Sequence, residues 1–472
     1  MVLRLVVAGL VAVWLTAHPA SAAACTGDCN ADGVVTINEL INGVSISLGA
    51  VGLERCSACD RNHDGAVTID ELIEAVTATL VGCPATPTPT RSIASTATAT
   101  PTSTPTATVL HCEVDGVICT VAGTGNAQFD GDGRQALDTS LYFPIDIIFD
   151  QQGRLLIDDW NNLRLRRVEN DGTVTTVMGD GFEDPTLPVD GTLAIDSQLH
   201  HAIDVEYDST GRLYLAGDHL PAVFRINTDD RVYTVAGTED LGYSGDGHPA
   251  REANLSTPFG VLPDAAGGFY ISDAEVHVVR YVDPEGIIHT IAGTAQMLPS
   301  GLWAMGYSGD GDLATKAQLA APGRLKFGPD GALYFCETKN HVIRRLHLDT
   351  GIIDTFAGTG ERGYGGDHGP AREAQFDTPY DLRFTSNGDL YVADTNNNVI
   401  RRIDAAGTIT TVVGDGAPTF AGDGGPASAS SLRRPSAVLF DAEGSMWIAD
   451  TSNQRVRRVW HFLSATEGAA AH

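Results

Sequence analysis

One pattern recurs along most of this chain, and that recurrence limits the fold more than any other feature. Copies begin at Val121, Val177, Val235, Ile291, Phe356 and Val412, spaced 56 to 58 residues apart except for 65 after Ile291. Each copy opens on a strand such as "TVAGTG", passes an Asp-Gly loop such as "GYSGDGHPAREANL", and reaches Leu-x-x-Pro. An apolar strand ending near an Asp-x-x-Gly turn follows, then a strand like "LYVAD", a short polar turn and a strand like "VIRRI". Four strands per unit at this period predict a propeller; a β-helix would need far shorter coils. The ends fit the same count. "VICTVAG" (Val117–Gly123) precedes the first full unit as a lone fourth strand, while the last unit, "SAVLFD", "SMWIAD" and "RVRRVW", has only three. The early strand is expected to complete the sixth blade and close the ring, which removes exposed sheet edges.

The polar turn carries a resemblance. "ADTNNNVIRR", "ETKNHVIRR" (Glu337–Arg345) and "ADTSNQRVRR" (Ala449–Arg458) resemble the NHL-repeat family, and "AGTGERGYGGDHGPAREAQFDTP" is similar to its bacterial secreted and teneurin-like branch. The resemblance implies an all-β six-bladed NHL propeller over residues 111–463. The second copy is the weakest, with "PVDG" for Ser-Gly-Asp-Gly and Ala202 in place of proline. A catalytic constellation cannot be sixfold, because a reaction needs different groups converging on one substrate. Asp159, Asp273, Asp394 and Asp450, which close the second strands, are therefore expected to hold the turn or pair with third-strand arginines.

Function belongs where copies differ, on the face shared by the long inter-blade loops. Two residues after the proline position stand Asp146, Asp204 and Asp381, with Arg324 in the fourth blade, Gly260 in the third and Ala437 in the sixth. These positions are expected to ring one mouth of the central channel. There they either bind a cation or sugar hydroxyls, or pair with one another, the reading preferred here. The long interval places its excess in "AQMLPSGLWAMGY", where Met297, Trp303 and Met305 form an apolar lip for a glycan or peptide, or pack across the mouth. His200, His201 and His219 share the second unit and can be read as zinc ligands, although loop histidines more often are not. His277 and His341 occupy the Asn-His turn position and read as structural.

Ahead of the repeats the chain is organised for export. Arg4, an apolar run from Leu5 to Ala17 and the small residues of "HPASAAAC" read as a signal peptide, residues 1–24. Cleavage after Ala24 leaves Cys25 first; lipid attachment there is the minor alternative, since the usual upstream leucine is missing. Residues 84–110 are nearly pure Pro, Thr, Ala and Ser, an extended linker, and 464–472 form a short tail. With 60 Asp+Glu against 30 Lys+Arg the net charge is -30, which disfavours nucleic acid and anionic membranes as partners. No later segment is apolar enough to span a bilayer. Cys112 and Cys119 flank an Asp115-Gly116 turn and are expected to form a disulfide, whereas Cys336 reads as a buried thiol.

Residues 25–83 hold the sharpest chemical signal. "DCNADGVVTINE" sets out Asp28, Asn30, Asp32, Val34, Thr36 and Glu39; "DRNHDGAVTIDE" repeats the pattern as Asp60, Asn62, Asp64, Ala66, Thr68 and Glu71. Both match a calcium loop. Short oxygen ligands wrap one side, Gly33 or Gly65 makes the sharp turn, Val34 or Ala66 offers its carbonyl, and the glutamate closes the shell. Two loops, each followed by an amphipathic helix, resemble a type I dockerin, a small α-helical EF-hand-like module. That resemblance implies two calcium ions and docking to a cohesin, although Ile37-Asn38 and Ile69-Asp70 depart from the usual recognition residues.

The expected whole is an exported, monomeric recognition or scaffold protein, non-enzymatic, with an extracellular protein or polysaccharide as partner. The alternative is a metal-dependent lyase or lactonase-type hydrolase at the channel mouth. No three histidines are spread over three inner strands, which disfavours the lyase.

Overall fold

Alternating apolar residues in each repeat force strands that bury both faces between neighbouring sheets. The computed structural model describes residues 112–182, 186–217 and 221–463. The expected leader, calcium loops, linker, His219 and tail lie outside the described residues. The described residues make six antiparallel sheets, blades 1 to 6 in chain order. Blade 1 comprises Pro144–Phe149, Leu155–Asp159, Arg164–Val168 and Thr173–Met178, from axis to rim. The inner strands of the next four are Ala202–Tyr207, Pro258–Pro263, Pro322–Phe327 and Pro379–Phe384. Blade 6 is built from Ala437–Phe440, Met446–Asp450 and Arg455–Val459, with Val117–Ala122 added outside. Inner strands touch in circular order, and that of blade 6 returns to blade 1.

The core is a set of layers between sheets rather than one centre. Ile148, Leu156 and Leu165 of blade 1 meet Val205, Leu215 and Phe224 of blade 2 in one such layer. Ile147 and Ile157 face Ala437 and Ala449 across the closing seam. One feature escapes a four-strand reading. In three blades a two-residue strand from the inter-blade loop pairs outside the fourth: Arg134–Gln135, Asp312–Leu313 and Gly425–Pro426. These short strands cover edges that would otherwise stay open. The Cys112–Cys119 disulfide forms, although only Cys119 stands on a strand. Cys336 is a buried free thiol.

Each inner strand except that of blade 6 begins with a bulge, and Asp146, Asp204 and Asp381 are the first paired residues beyond it. A bulge re-aims the following side chain, which turns these carboxylates toward the next blade.

Candidate functional site

The repeated aspartates hold the fold. Asp394 accepts from the Asp377 N–H at 2.8 Å, from Asn397 at 2.9 Å and from Arg401 at 3.3 Å, and Arg401 reaches on to Asp367 at 2.7 Å. Asp159 with Arg166, Glu337 with Arg344 and Asp450 with Arg457 repeat the arrangement. In blade 3 Asp273 instead accepts from the Ser256 and Thr257 N–H groups, while Arg280 binds Asp246. A second contact, invisible in single repeats, joins blades. The Ala321 and Thr378 N–H groups donate to His277 and His341 Nδ1 at 3.2 and 3.1 Å, and the Arg434 N–H to Asn398 at 3.0 Å. The turn histidines are structural for this reason.

The four odd inner residues come together and pair, as preferred above, but they are buried within the channel rather than ringing its mouth. Arg324 is 1% exposed, and its guanidinium lies 2.9 Å from Asp146, 3.3 Å from Asp204 and 3.7 Å from Asp381. It also donates to the carbonyls of Ser436, Ile145 and Ile203 at 3.1, 3.0 and 2.5 Å. One side chain from blade 4 thus engages blades 1, 2, 5 and 6. Each aspartate in turn accepts a backbone N–H from the following blade: Val205 to Asp146 at 2.9 Å, Val261 to Asp204 at 2.8 Å, Val438 to Asp381 at 2.9 Å. Gly260 keeps the glycine of the repeat because a Cβ there would stand 3.1 Å from the Arg324 Cα.

A second layer lies two residues along the same strands. Buried Lys326 pairs with Glu206, and Arg383 approaches Glu206 at 3.5 Å. Sequence reasoning passed over this trio, although alternation along a strand sends residues i and i+2 the same way. Burial alone would raise the Glu206 carboxyl, but Lys326 and Arg383 outweigh it and hold it below its ordinary value. Burial raises Asp204. Asp146 is pushed up to about 8, foremost by burial, against the pull of Arg324 and with Asp204 and Asp381 adding to the rise.

A folded pKa above the unfolded one means stability that is complete below about pH 4 and lost as pH rises through about 8. We therefore expect Asp146→Asn, whatever its constant cost, to gain on the parent as pH climbs over that window. Thermal unfolding of both proteins from about pH 4 to 9 measures the difference; parallel curves would refute it.

Trp303 belongs to a different place. Residues 295–307 fold into a finger on the rim, with Met297 bridged to Trp303 and the Leu298 N–H donating to the Leu302 carbonyl at 2.8 Å. Its base is fixed by Tyr307, whose hydroxyl bonds Thr355 at 2.7 Å. Trp303 packs edge-on against Tyr243 of the neighbouring loop, ring centres 6.0 Å apart. Met297, Leu302 and Met305 stay 56%, 63% and 61% exposed, and Leu241 beside Tyr243 is 68% exposed. The irregular second blade contributes the adjoining ground. Gly217 and Phe224 replace its carboxylate and arginine, so Asp190 of its loop keeps only the arginine partner from the next loop, Arg251 at 2.6 Å, where Asp310 binds both Arg344 and Arg372. A cleft of about 630 Å3 opens there, lined among others by Leu187, Asp190, Glu239, Asp240 and Arg251. His200 is buried, and His201 packs at a tilt against Trp160, ring centres 4.3 Å apart. Among the described residues no three His, Cys, Asp or Glu are grouped to hold a metal.

No family model matches the chain. Mouse teneurin-4 is 27% identical over 359 residues, spanning 67% of this chain and 12% of that protein. Human teneurin-1 is 24% identical over 73% of this chain and 13% of its own length. Arabidopsis thaliana protein SUPPRESSOR OF QUENCHING 1, chloroplastic, is 28% identical over 53% of this chain and 24% of that protein. The repeats form a six-bladed β-propeller. Solved structures agree on the fold. A Bacteroides thetaiotaomicron protein of unknown function superposes with a TM-score of 0.54 at 17% identity, covering 72% of this chain and 75% of that one. An auxiliary nutrient binding protein of the same organism gives 0.51 at 16%, with the same coverage. The chain spans only about an eighth of the length of the teneurins it matches. Among the described residues no helix is long and apolar enough to cross a membrane.

Proposed function

We propose that this chain is an exported recognition or scaffold protein whose propeller binds through its rim, around Trp303, rather than through its axis. The observation that carries the reading is the contrast between the two places. At the axis, Arg324 occupies the space among Asp146, Asp204 and Asp381, and those carboxylates are committed to it and to backbone donors. At the rim, large apolar side chains stand in water grouped on one finger, and a grouped apolar patch of this kind marks an interaction surface. A hydrolase at the channel is less well supported, because a guanidinium stands where a substrate or cation would have to enter. The name of one fold neighbour, an auxiliary nutrient binding protein, is in keeping with binding as the use of such a propeller. The test is a screen of the full chain against glycans and extracellular proteins. We expect a ligand whose affinity falls at least about tenfold in Trp303→Ala; uniform absence of binding, or binding indifferent to Trp303, would overturn the reading.

The calcium module belongs to the same proposal and rests on residues 25–83 of the sequence. It would load two calcium ions and dock the chain, by a cohesin-like or other extracellular partner, while the linker lets the propeller engage separately. Calcium titration of the decalcified chain should report two ions per molecule. Glu39→Gln and Glu71→Gln should each weaken one of them by removing the ligand that closes its loop.

A further inference from the structure

The rim is more specific than an apolar patch. Leu241, Tyr243 and Trp303 connect the finger to the cleft of blade 2, because Asp240 immediately precedes Leu241 and lines that cleft. Two residues of extended chain span about 7 Å, so with the 6.0 Å ring contact the acidic cleft and the finger lie within reach of one short peptide. The charges at the two ends are alike. Glu239 and Asp240 are exposed at the cleft. Glu361, also exposed, adjoins Tyr307 at the base of the finger through Gly360, whose Cβ would meet that ring at 2.9 Å. The arginines nearby are already matched: Arg251 by Asp190 at 2.6 Å, Arg372 by Asp310 at 2.8 Å, Arg362 by Asp377 at 2.9 Å, and the buried Arg280 and Arg344 by Asp246 and Asp310 at 2.6 and 3.0 Å. Among the described residues no ion pair engages Glu239, Asp240 or Glu361. The strip is therefore an apolar ridge, rich in Met and Leu, with unmatched negative charge at each end.

We propose that this strip docks a protein segment in which Lys or Arg stands beside large apolar residues. This deepens the recognition reading above and rests on it. The composition favours a peptide over a sugar: carbohydrate needs flat aromatic faces and converging hydrogen-bond groups, whereas flexible Met and Leu side chains adapt to other side chains. The unmatched carboxylates choose the charge of the partner and steer its approach, and Trp303 supplies the central anchor.

The test uses a display library of random twelve-residue peptides, selected on the purified full chain and counter-selected on Trp303→Ala. Peptides that depend on Trp303 should be enriched in Lys and Arg next to Leu, Ile, Phe or Trp. Their affinity should fall about tenfold in Trp303→Ala and several-fold in the Glu239→Gln, Asp240→Asn pair. Glu443→Gln, an exposed acid on an Asp-x-x-Gly turn, should leave affinity unchanged. Unaltered thermal unfolding of each variant excludes misfolding as the cause. Trp303-dependent peptides lacking basic residues would overturn the proposal, as would equal losses in Glu443→Gln. Trp303-dependent binding of glycans with no peptide selected would overturn this inference while leaving rim recognition standing. No rim-dependent binding of any kind would remove both.

Discussion

Replacing Arg324 by Met should destabilise the propeller by about 3–5 kcal/mol, the usual cost of leaving buried charge without its partner, and more than removal of any exposed ion pair. The residue is 1% exposed, faces three buried carboxylates and donates to three carbonyls of blades that are not its neighbours in sequence. Truncation removes the countercharge and the donors together: the backbone carbonyls of Ser436 and Ile203 lose the Arg324 donor, and that of Ile145 keeps only the Ser436 hydroxyl at 2.7 Å. Arg324→Lys should fall between, since an ammonium restores charge but not the planar fork that reaches several acceptors at once. Combining Arg324→Met with Asp146→Asn, Asp204→Asn and Asp381→Asn should recover part of the loss by removing the stranded charge. Denaturant unfolding of the four proteins reads these differences directly. If Arg324→Met unfolded with the parent, the axis would be a passive filling and not the clamp described here.

How far such features are legible in the sequence depends on their range. The repeat, the number of blades and the borrowed strand are periodic, and periodicity survives without knowledge of contacts. The Asp394–Arg401 pairing is legible for the same reason: identical residues at identical places in several copies point to one structural task. Asp146, Asp204, Arg324 and Asp381 are legible as departures from the repeat, but not in their geometry. Nothing in the order of residues says that one arginine is long enough to cross the axis, so the pairing is foreseeable but its full burial is not. Glu206, Lys326 and Arg383 could have been found by carrying the alternation one step further along the same strands. The two-residue edge strands are too short to leave any periodic trace. The length of the finger holding Trp303 marked it as irregular. Its packing on Tyr243, and hence its place on the rim, depends on two loops about 60 residues apart in sequence, which follows from the length of one repeat and not from any local pattern.

Deleting Val117–Gly123 should open the ring and give an aggregating product. The strand does two things that no other segment can supply. Its backbone pairs along Arg455–Val459, Ile118 opposite Val459 and Ala122 opposite Val456, and on its other side meets Gly425–Pro426. Its side chains complete blade 6 as a native fourth strand completes its own blade. The Thr120 N–H and hydroxyl donate to Asp423 at 3.0 and 2.7 Å, as Thr176 does to Asp132 and the Thr290 N–H does to Asp246. Asp423 in turn holds Arg457, so the loss would spread to the buried pair with Asp450. Ile118, fully buried among Ile400, Val413, Leu432 and Val459, would leave a hole in the layer between blades 5 and 6. The loss of that one side chain is worth about 2–5 kcal/mol. The exposed edge of Arg455–Val459 would then offer unpaired N–H and C=O groups to another chain, the ordinary route to edge-to-edge association. Light scattering after size separation, with thermal unfolding of whatever stays soluble, decides the matter. A soluble monomer that unfolds at the parent temperature would mean that three strands suffice for the last blade, and that the ring is not held shut by its first strand.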